Sequence, residues 1–177
     1  MNKTWRLVDL PGYGWAHVAR EDKAKFNQSV AHYLRCRPNL RLVFALVDSS
    51  LPPQTMDLEF VEWLVDNSIP FVLVFTKTDK ARPAEVKANI AAFSERISEW
   101  CETLPKIFTC SAVAKHGRRE LLDVIDQAMA ELDAEEPADS GEALSDTDRP
   151  TGNQPAVNRY ASTRSTSGKG SKVARPW

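Results

Sequence analysis

At 177 residues the chain has the length of one domain with a substantial core, and its formal net charge of −1 excludes a strong overall field for nucleic acid or membrane. No apolar run reaches membrane-spanning length and the first residues carry no signal-peptide pattern, so a cytoplasmic protein is expected. Its three cysteines, Cys36, Cys101 and Cys110, are odd in number, far apart and set in apolar segments, which fits buried reduced thiols rather than a disulfide framework or a zinc site.

Taken in order, Trp5 to Asp9 reads as a strand: an apolar run that ends on a carboxylate, after which Pro11 and Gly12 force a turn. Arg20 to Arg37 carries Phe26, Val30, Tyr33 and Leu34 at helical spacing, and Pro38 stops the helix. Leu40 to Val47 is nearly continuous apolar sequence ending at Asp48, as in a strand covered on both faces. Beyond Pro52-Pro53, a second helix places Leu58, Val61, Leu64 and Val65 on one side. Ile69 to Phe75 is another buried strand, and it runs directly into Thr76-Lys77-Thr78-Asp79. Pro83 suits the first turn of a third helix with the stripe Val86, Ile90, Phe93, Ile97 and Trp100. Lys106 to Cys110 is the last strand, followed by Ser111-Ala112, and a final helix from about Arg119 is expected to turn Leu122, Ile125, Met129 and Leu132 inward.

Strands alternating with amphipathic helices specify an α/β fold with three layers and a mostly parallel sheet. The composition changes after Leu132. Residues 133–177 are rich in Ser, Thr, Gly and Pro, with acids alone up to Asp148 and bases alone from Arg149 onward. Such a segment has too little apolar surface to offset its ordering entropy, so a folded region 1–132 and a disordered tail 133–177 are expected.

In sheets of this kind ligands bind at the carboxyl ends of the strands. Three segments arrive there with polar groups: Asp9-Leu10-Pro11-Gly12, Thr76-Lys77-Thr78-Asp79, and Cys110-Ser111-Ala112. Taken singly, each is also what an ordinary turn uses. Together they match the needs of a guanine. Its N1–H and N2–H₂ form two parallel donors that one carboxylate, Asp79, accepts at once; adenine offers neither. The stem of Lys77 can lie along the purine face, and backbone N–H groups around Ser111 and Ala112 can donate to O6. An ATP-using α/β protein is the reading that Asp79 opposes.

The order D-x-P-G, T-K-x-D, S-A resembles the third, fourth and fifth motifs of the TRAFAC-class small GTPases. Within that class, Leu7-Val-Asp-Leu-Pro-Gly-Tyr-Gly-Trp-Ala resembles the EngB (YihA/YsxC) family of GTP-binding proteins, as do Val47-Asp-Ser-Ser-Leu-Pro-Pro, Asp57-Leu-Glu-Phe-Val-Glu-Trp-Leu and Phe71-Val-Leu-Val-Phe-Thr-Lys-Thr-Asp-Lys. The resemblance covers about residues 2 to 132.

The resemblance implies a P-loop GTPase fold, GTP or GDP with Mg²⁺ as ligands, and a switch acting in assembly of the large ribosomal subunit, in a family also linked to cell division and septation. It implies that Asp9 sits near Mg²⁺ and acts through a water, that the Gly12 N–H senses the γ-phosphate, and that Tyr13 to Arg20 form the mobile switch. It further implies that Lys77 and Asp79 hold guanine while Cys110, Ser111 and Ala112 close over it. Tyr13 stands where many GTPases place a water-orienting glutamine, so slow hydrolysis is expected. The sequence contains no G-x-x-x-x-G-K-[ST] loop and begins just before the third motif, so it corresponds to the later two-thirds of such a domain, lacking the first strands of the sheet. The implied partners are guanine nucleotide and ribosomal RNA, the latter also touched by the basic stretch after Arg149, in a monomeric protein. The alternative is a remnant G-domain that keeps its interaction surfaces without cycling.

Overall fold

The computed structural model describes residues 5–10 and 20–133. In chain order these form α1 (Arg20–Cys36), β1 (Val43–Asp48), α2 (Thr55–Asp66), β2 (Phe71–Thr76), α3 (Pro83–Ser98), β3 (Ile107–Thr109) and α4 (Arg118–Asp133). Pro11, Gly12, the switch segment up to Ala19 and the tail from Ala134 lie outside the described residues.

The three strands form one parallel sheet in the order β1-β2-β3. β2 is the central strand. Phe71, Val72, Leu73, Val74 and Phe75 are at most 1% exposed, so an uninterrupted apolar run is what both faces require. Its register against β1 pairs Val43 with Phe71 and Asp48 with Thr76, which brings the two carboxyl ends level.

One face of the sheet carries most of the core. Val43, Ala45, Val47, Phe71, Leu73 and Phe75 pack there against Leu34 of α1, Phe60, Val61, Leu64 and Val65 of α2, and Phe93 and Ile97 of α3. Trp63 joins this core at 7% exposure. Phe75 and Phe93 meet edge to face at 5.5 Å, which orients α3 across the sheet. Pro83 opens α3, and the Arg82 N–H donates to the Glu85 carboxylate at 3.1 Å, satisfying a donor that the helix leaves free. Among the described residues α4 covers the other face, so the layers run helix, sheet, helix.

Two expectations are corrected. Residues 5–10 form no strand: Leu7 and Val8 are 71% and 47% exposed, and only Leu10 packs against the core. A strand exists only where a neighbour accepts its backbone groups, and none of the described strands pairs with this segment. On β1, Leu46 is 59% exposed. The second correction concerns α4, which is rotated from the expected phase. Leu122 is 41% exposed, while Val124 and Ala128 are buried against Val72 and Val74 with Leu121 beside them. Small residues at the contact let the helix approach a sheet face already filled by valines.

Candidate guanine-nucleotide site

The carboxyl ends of β2 and β3 meet at one edge, and a set of hydrogen bonds fastens the loops that follow them. Thr76 ends β2; its hydroxyl donates to the Val47 carbonyl at 3.1 Å, while its own carbonyl accepts from the Ser49 hydroxyl at 2.7 Å. Thr78 reaches the β3 side, where its N–H and its hydroxyl both donate to the Cys110 carbonyl, at 3.4 and 3.3 Å. The Cys110 N–H donates in turn to the Phe75 carbonyl at 2.9 Å. Burial pushes the Cys110 thiol above its ordinary pKa, which keeps it an unreactive packing group beside the site.

Asp79 is exposed at the end of this loop, but its direction is set. The buried Ser111 hydroxyl donates to the Asp79 carboxylate, and the Ala114 N–H donates to that same hydroxyl oxygen at 2.9 Å. The N–H and carbonyl of Ser111 are both engaged with His116 at 3.1 Å, closing a small loop around the serine. The Ser111 amide is therefore occupied, whereas the Ala112 N–H is among the backbone donors of this turn without an acceptor among the described residues. The T-K-x-D and S-A segments, 32 positions apart in sequence, form one hydrogen-bonded unit.

Lys77 has φ 58°, a left-handed conformation that costs a residue bearing a Cβ about 1–2 kcal/mol. Its surroundings hold it there. The Lys80 N–H donates to the Lys77 carbonyl at 2.9 Å, and the Lys77 ammonium pairs with Asp48 at 2.6 Å. Strain retained by several contacts at a strand end is characteristic of binding sites.

Asp48 is the residue that reading the motifs missed. Burial alone would raise its pKa. Hydrogen bonds from Lys77 and from the Ser50 hydroxyl and N–H, together with the Lys77 charge, outweigh that and hold the carboxyl below its ordinary 3.8. A lowered folded-state pKa stabilises the fold above the unfolded-state value and is lost as pH falls through the folded one. Replacing Lys77 with Gln, which leaves φ strain in place, should therefore cost stability near neutral pH and cost progressively less below about pH 4. The pair is half exposed on the lysine side, so the loss at pH 7 should be within the ~0.2–1 kcal/mol of partly exposed pairs. Urea melts of both chains at pH 7 and pH 3 measure it; an equal deficit at the two values refutes the coupling.

The first predicted segment is not brought to this edge by a strand. Asp9 is exposed, Leu10 is half-buried, and Pro11 and Gly12 lie outside the described residues. Among the described residues no group of three His, Cys, Asp or Glu side chains could hold a metal ion.

The comparisons with known proteins bear on what this edge is for. No protein-family model matches the chain. The chain is 42% identical over 134 residues to the "Probable GTP-binding protein EngB" of Phocaeicola vulgatus, covering 76% of this chain and 67% of that protein. It is 41% identical over 132 residues to the protein of the same name in Porphyromonas gingivalis, covering 75% of this chain and 66% of that one. It thus spans about two-thirds of the length of these relatives. Among solved structures, a crystal structure of a probable GTP-binding protein EngB superposes with a TM-score of 0.59 at 20% identity, covering 70% of this chain and 75% of that one. The apo elongation factor SelB of Methanococcus maripaludis superposes at 0.53 and 24% identity, over 70% of this chain and 25% of that one. These two likenesses establish the GTPase-type fold. With about four residues in ten identical over more than 130 positions, the kinship reaches well beyond three short motifs, and the chain belongs to the EngB family of GTP-binding proteins.

Proposed function

We propose that this chain recognises guanine nucleotides through Asp79, and that it is the base-binding part of an EngB-type switch acting in assembly of the large ribosomal subunit. The observation that carries the reading is the line of hydrogen bonds from the Ala114 N–H to the Ser111 hydroxyl to the Asp79 carboxylate. A carboxylate held in this way keeps its remaining lone pairs in place for the N1–H and N2–H₂ of guanine. Lys77, with its ammonium anchored on Asp48, presents its stem to the purine face. The Ala112 N–H is the donor for O6. Thr76, Thr78 and Cys110 act through the backbone, tying the two loops into one floor.

The phosphate side is thinner. Asp9 and the Gly12 N–H are the groups that the family resemblance assigns to Mg²⁺ and phosphate, and no G-x-x-x-x-G-K-[ST] stretch occurs in this sequence. Mg²⁺ commonly binds through one or two carboxylates with phosphate oxygens and waters, and Asp9 through water suits that habit. Affinity in this chain should rest on the base and be modest, and Tyr13 in the glutamine's position should keep hydrolysis slow. No helix among the described residues is long and apolar enough to cross a membrane; a cytoplasmic, monomeric protein is the part of this reading that rests on the family resemblance alone. We assign the nucleotide function to residues 1–132 and treat 133–177 as a separate tail.

Calorimetric titration of the chain with GDP and with ADP, in magnesium, tests the base site. GDP should bind at micromolar affinity and ADP should not. A chain that is folded by circular dichroism and binds neither refutes the proposal, and leaves an interaction protein built on a G-domain.

A further inference from the structure

A second polar feature lies at the opposite edge of the sheet. An open cleft of about 360 Å³ is lined by Leu34, Arg35 and Arg37 at the end of α1, Leu40, and Asn67, Ser68, Ile69 and Pro70 between α2 and β2. Pro70 immediately precedes β2, whereas Thr76 and Asp79 follow it. A six-residue strand therefore separates the cleft from the guanine site by roughly 20 Å.

The chemistry of the cleft is one-sided. Two arginines, Arg35 and Arg37, are among its lining residues, and the Arg37 guanidinium rests over the neighbouring Tyr33 ring, with Cζ 5.2 Å from the centroid. The backbone N–H groups of Asn67, Ser68 and Ile69 are used inside the fold, donating to Trp63, Val65 and Leu64. The Asn67 amide also donates to the Trp63 carbonyl at 2.8 Å. What remains for a ligand is two arginine forks and the Ser68 hydroxyl, all donors suited to oxyanions. Arg41 follows closely in sequence, and residues 35–47 contain Arg35, Arg37 and Arg41 and no Asp or Glu. The nearest acid in sequence, Asp66, is engaged in an interaction of its own.

We infer that this cleft binds the phosphate backbone of RNA. Arginine matches a phosphate with two parallel hydrogen bonds, and an arginine seated on an aromatic ring offers a surface on which a base stacks. An acidic peptide would engage the two forks but has no use for Tyr33. The inference gives the proposed ribosomal RNA contact a place, and it requires nothing of the nucleotide site.

The test is fluorescence anisotropy of a labelled 12-nucleotide single-stranded RNA with the full chain, from 50 to 200 mM salt, comparing the parent with Arg35→Gln/Arg37→Gln. Loss of two phosphate contacts should weaken binding roughly 10-fold at low salt and reduce the slope of log K against log salt by about 1.4. Lys87→Gln/Arg96→Gln, which removes the same charge from exposed positions on α3, should leave the slope unchanged. An unchanged slope in the Arg35/Arg37 variant overturns the inference, and assigns RNA binding to the basic tail if the parent binds RNA at all. Equally tight, equally arginine-dependent binding of a poly-glutamate peptide overturns it in favour of an acidic protein partner. GDP titration of the same variant keeps the two sites distinct: retained GDP binding is expected, whatever the RNA result, and circular dichroism verifies the fold.

Discussion

An Asp79→Asn chain is expected to lose its preference for GDP by about 10³-fold while keeping its fold. The asparagine oxygen can still accept from the Ser111 hydroxyl, so the loop stays fastened. Its NH₂ then faces the N1–H and N2–H₂ of guanine, donor against donor. If the amide flips, N1–H regains an acceptor but N2–H₂ still has none, and the Ser111 contact must be rebuilt around the amide nitrogen. Either way at least one donor is desolvated without a partner. The same argument names a ligand that should gain. Xanthine keeps N1–H but carries a carbonyl in place of the 2-amino group, which suits an amide that accepts with oxygen and donates with nitrogen. Titration of parent and variant with GDP and xanthosine diphosphate should therefore show a crossed pattern. A variant that keeps the parental preference would exclude Asp79 as the group that reads the base.

Why Asp79 was legible in the sequence and Asp48 was not follows from how each is placed. The T-K-x-D segment ends a run, Phe71 to Phe75, that is buried throughout, so β2 has no exposed face to confuse the pattern, and the S-A segment follows the short, half-buried β3. Asp48 also ends an apolar run, but its meaning depends on a partner 29 positions away. Only the pairing of β1 with β2, with Asp48 level with Thr76, places its carboxylate beside Lys77. Sequence order names the strands without stating their register. The α4 error has another origin. Leu121, Leu122, Ile125 and Met129 leave two overlapping stripes at helical spacing, and the choice between them is made by the sheet, where Val72 and Val74 admit Val124 and Ala128 more closely than leucine. Trp5 to Asp9 failed for a third reason. Its pattern is that of a strand, but a pattern supplies side chains for a face and not the neighbouring backbone that makes a strand.

Gly117 should be the least replaceable residue of the described loops. Its φ is +80°, and a Cβ placed there would lie 2.1 Å from the Thr109 carbonyl oxygen and 2.8 Å from the Cys110 Cβ. Neither neighbour can retreat cheaply. Thr109 is the last residue of β3, and the Cys110 N–H is bonded to the Phe75 carbonyl of the central strand. His116, just before the glycine, brackets Ser111 from both sides, and the Gly117 carbonyl accepts the Leu121 N–H in the first turn of α4. Gly117→Ala therefore strains a strand end, the serine that aims Asp79, and a helix start together. Left-handed strain and the clash should cost about 2–4 kcal/mol, lowering Tm by roughly 10 °C or more and weakening GDP binding in chains that remain folded. Lys115, two residues earlier, supplies the contrast, since its φ of 54° is also left-handed but in a residue that bears a Cβ. Lys115→Gly relieves that strain at the cost of a more flexible unfolded chain, and should be neutral to about 1 kcal/mol stabilising. Thermal melts of the two variants should move in opposite directions or leave Lys115→Gly unmoved. If Gly117→Ala instead melts with the parent and binds GDP equally, the close approach of this loop to β3 is not what holds Ser111 and Asp79 in place.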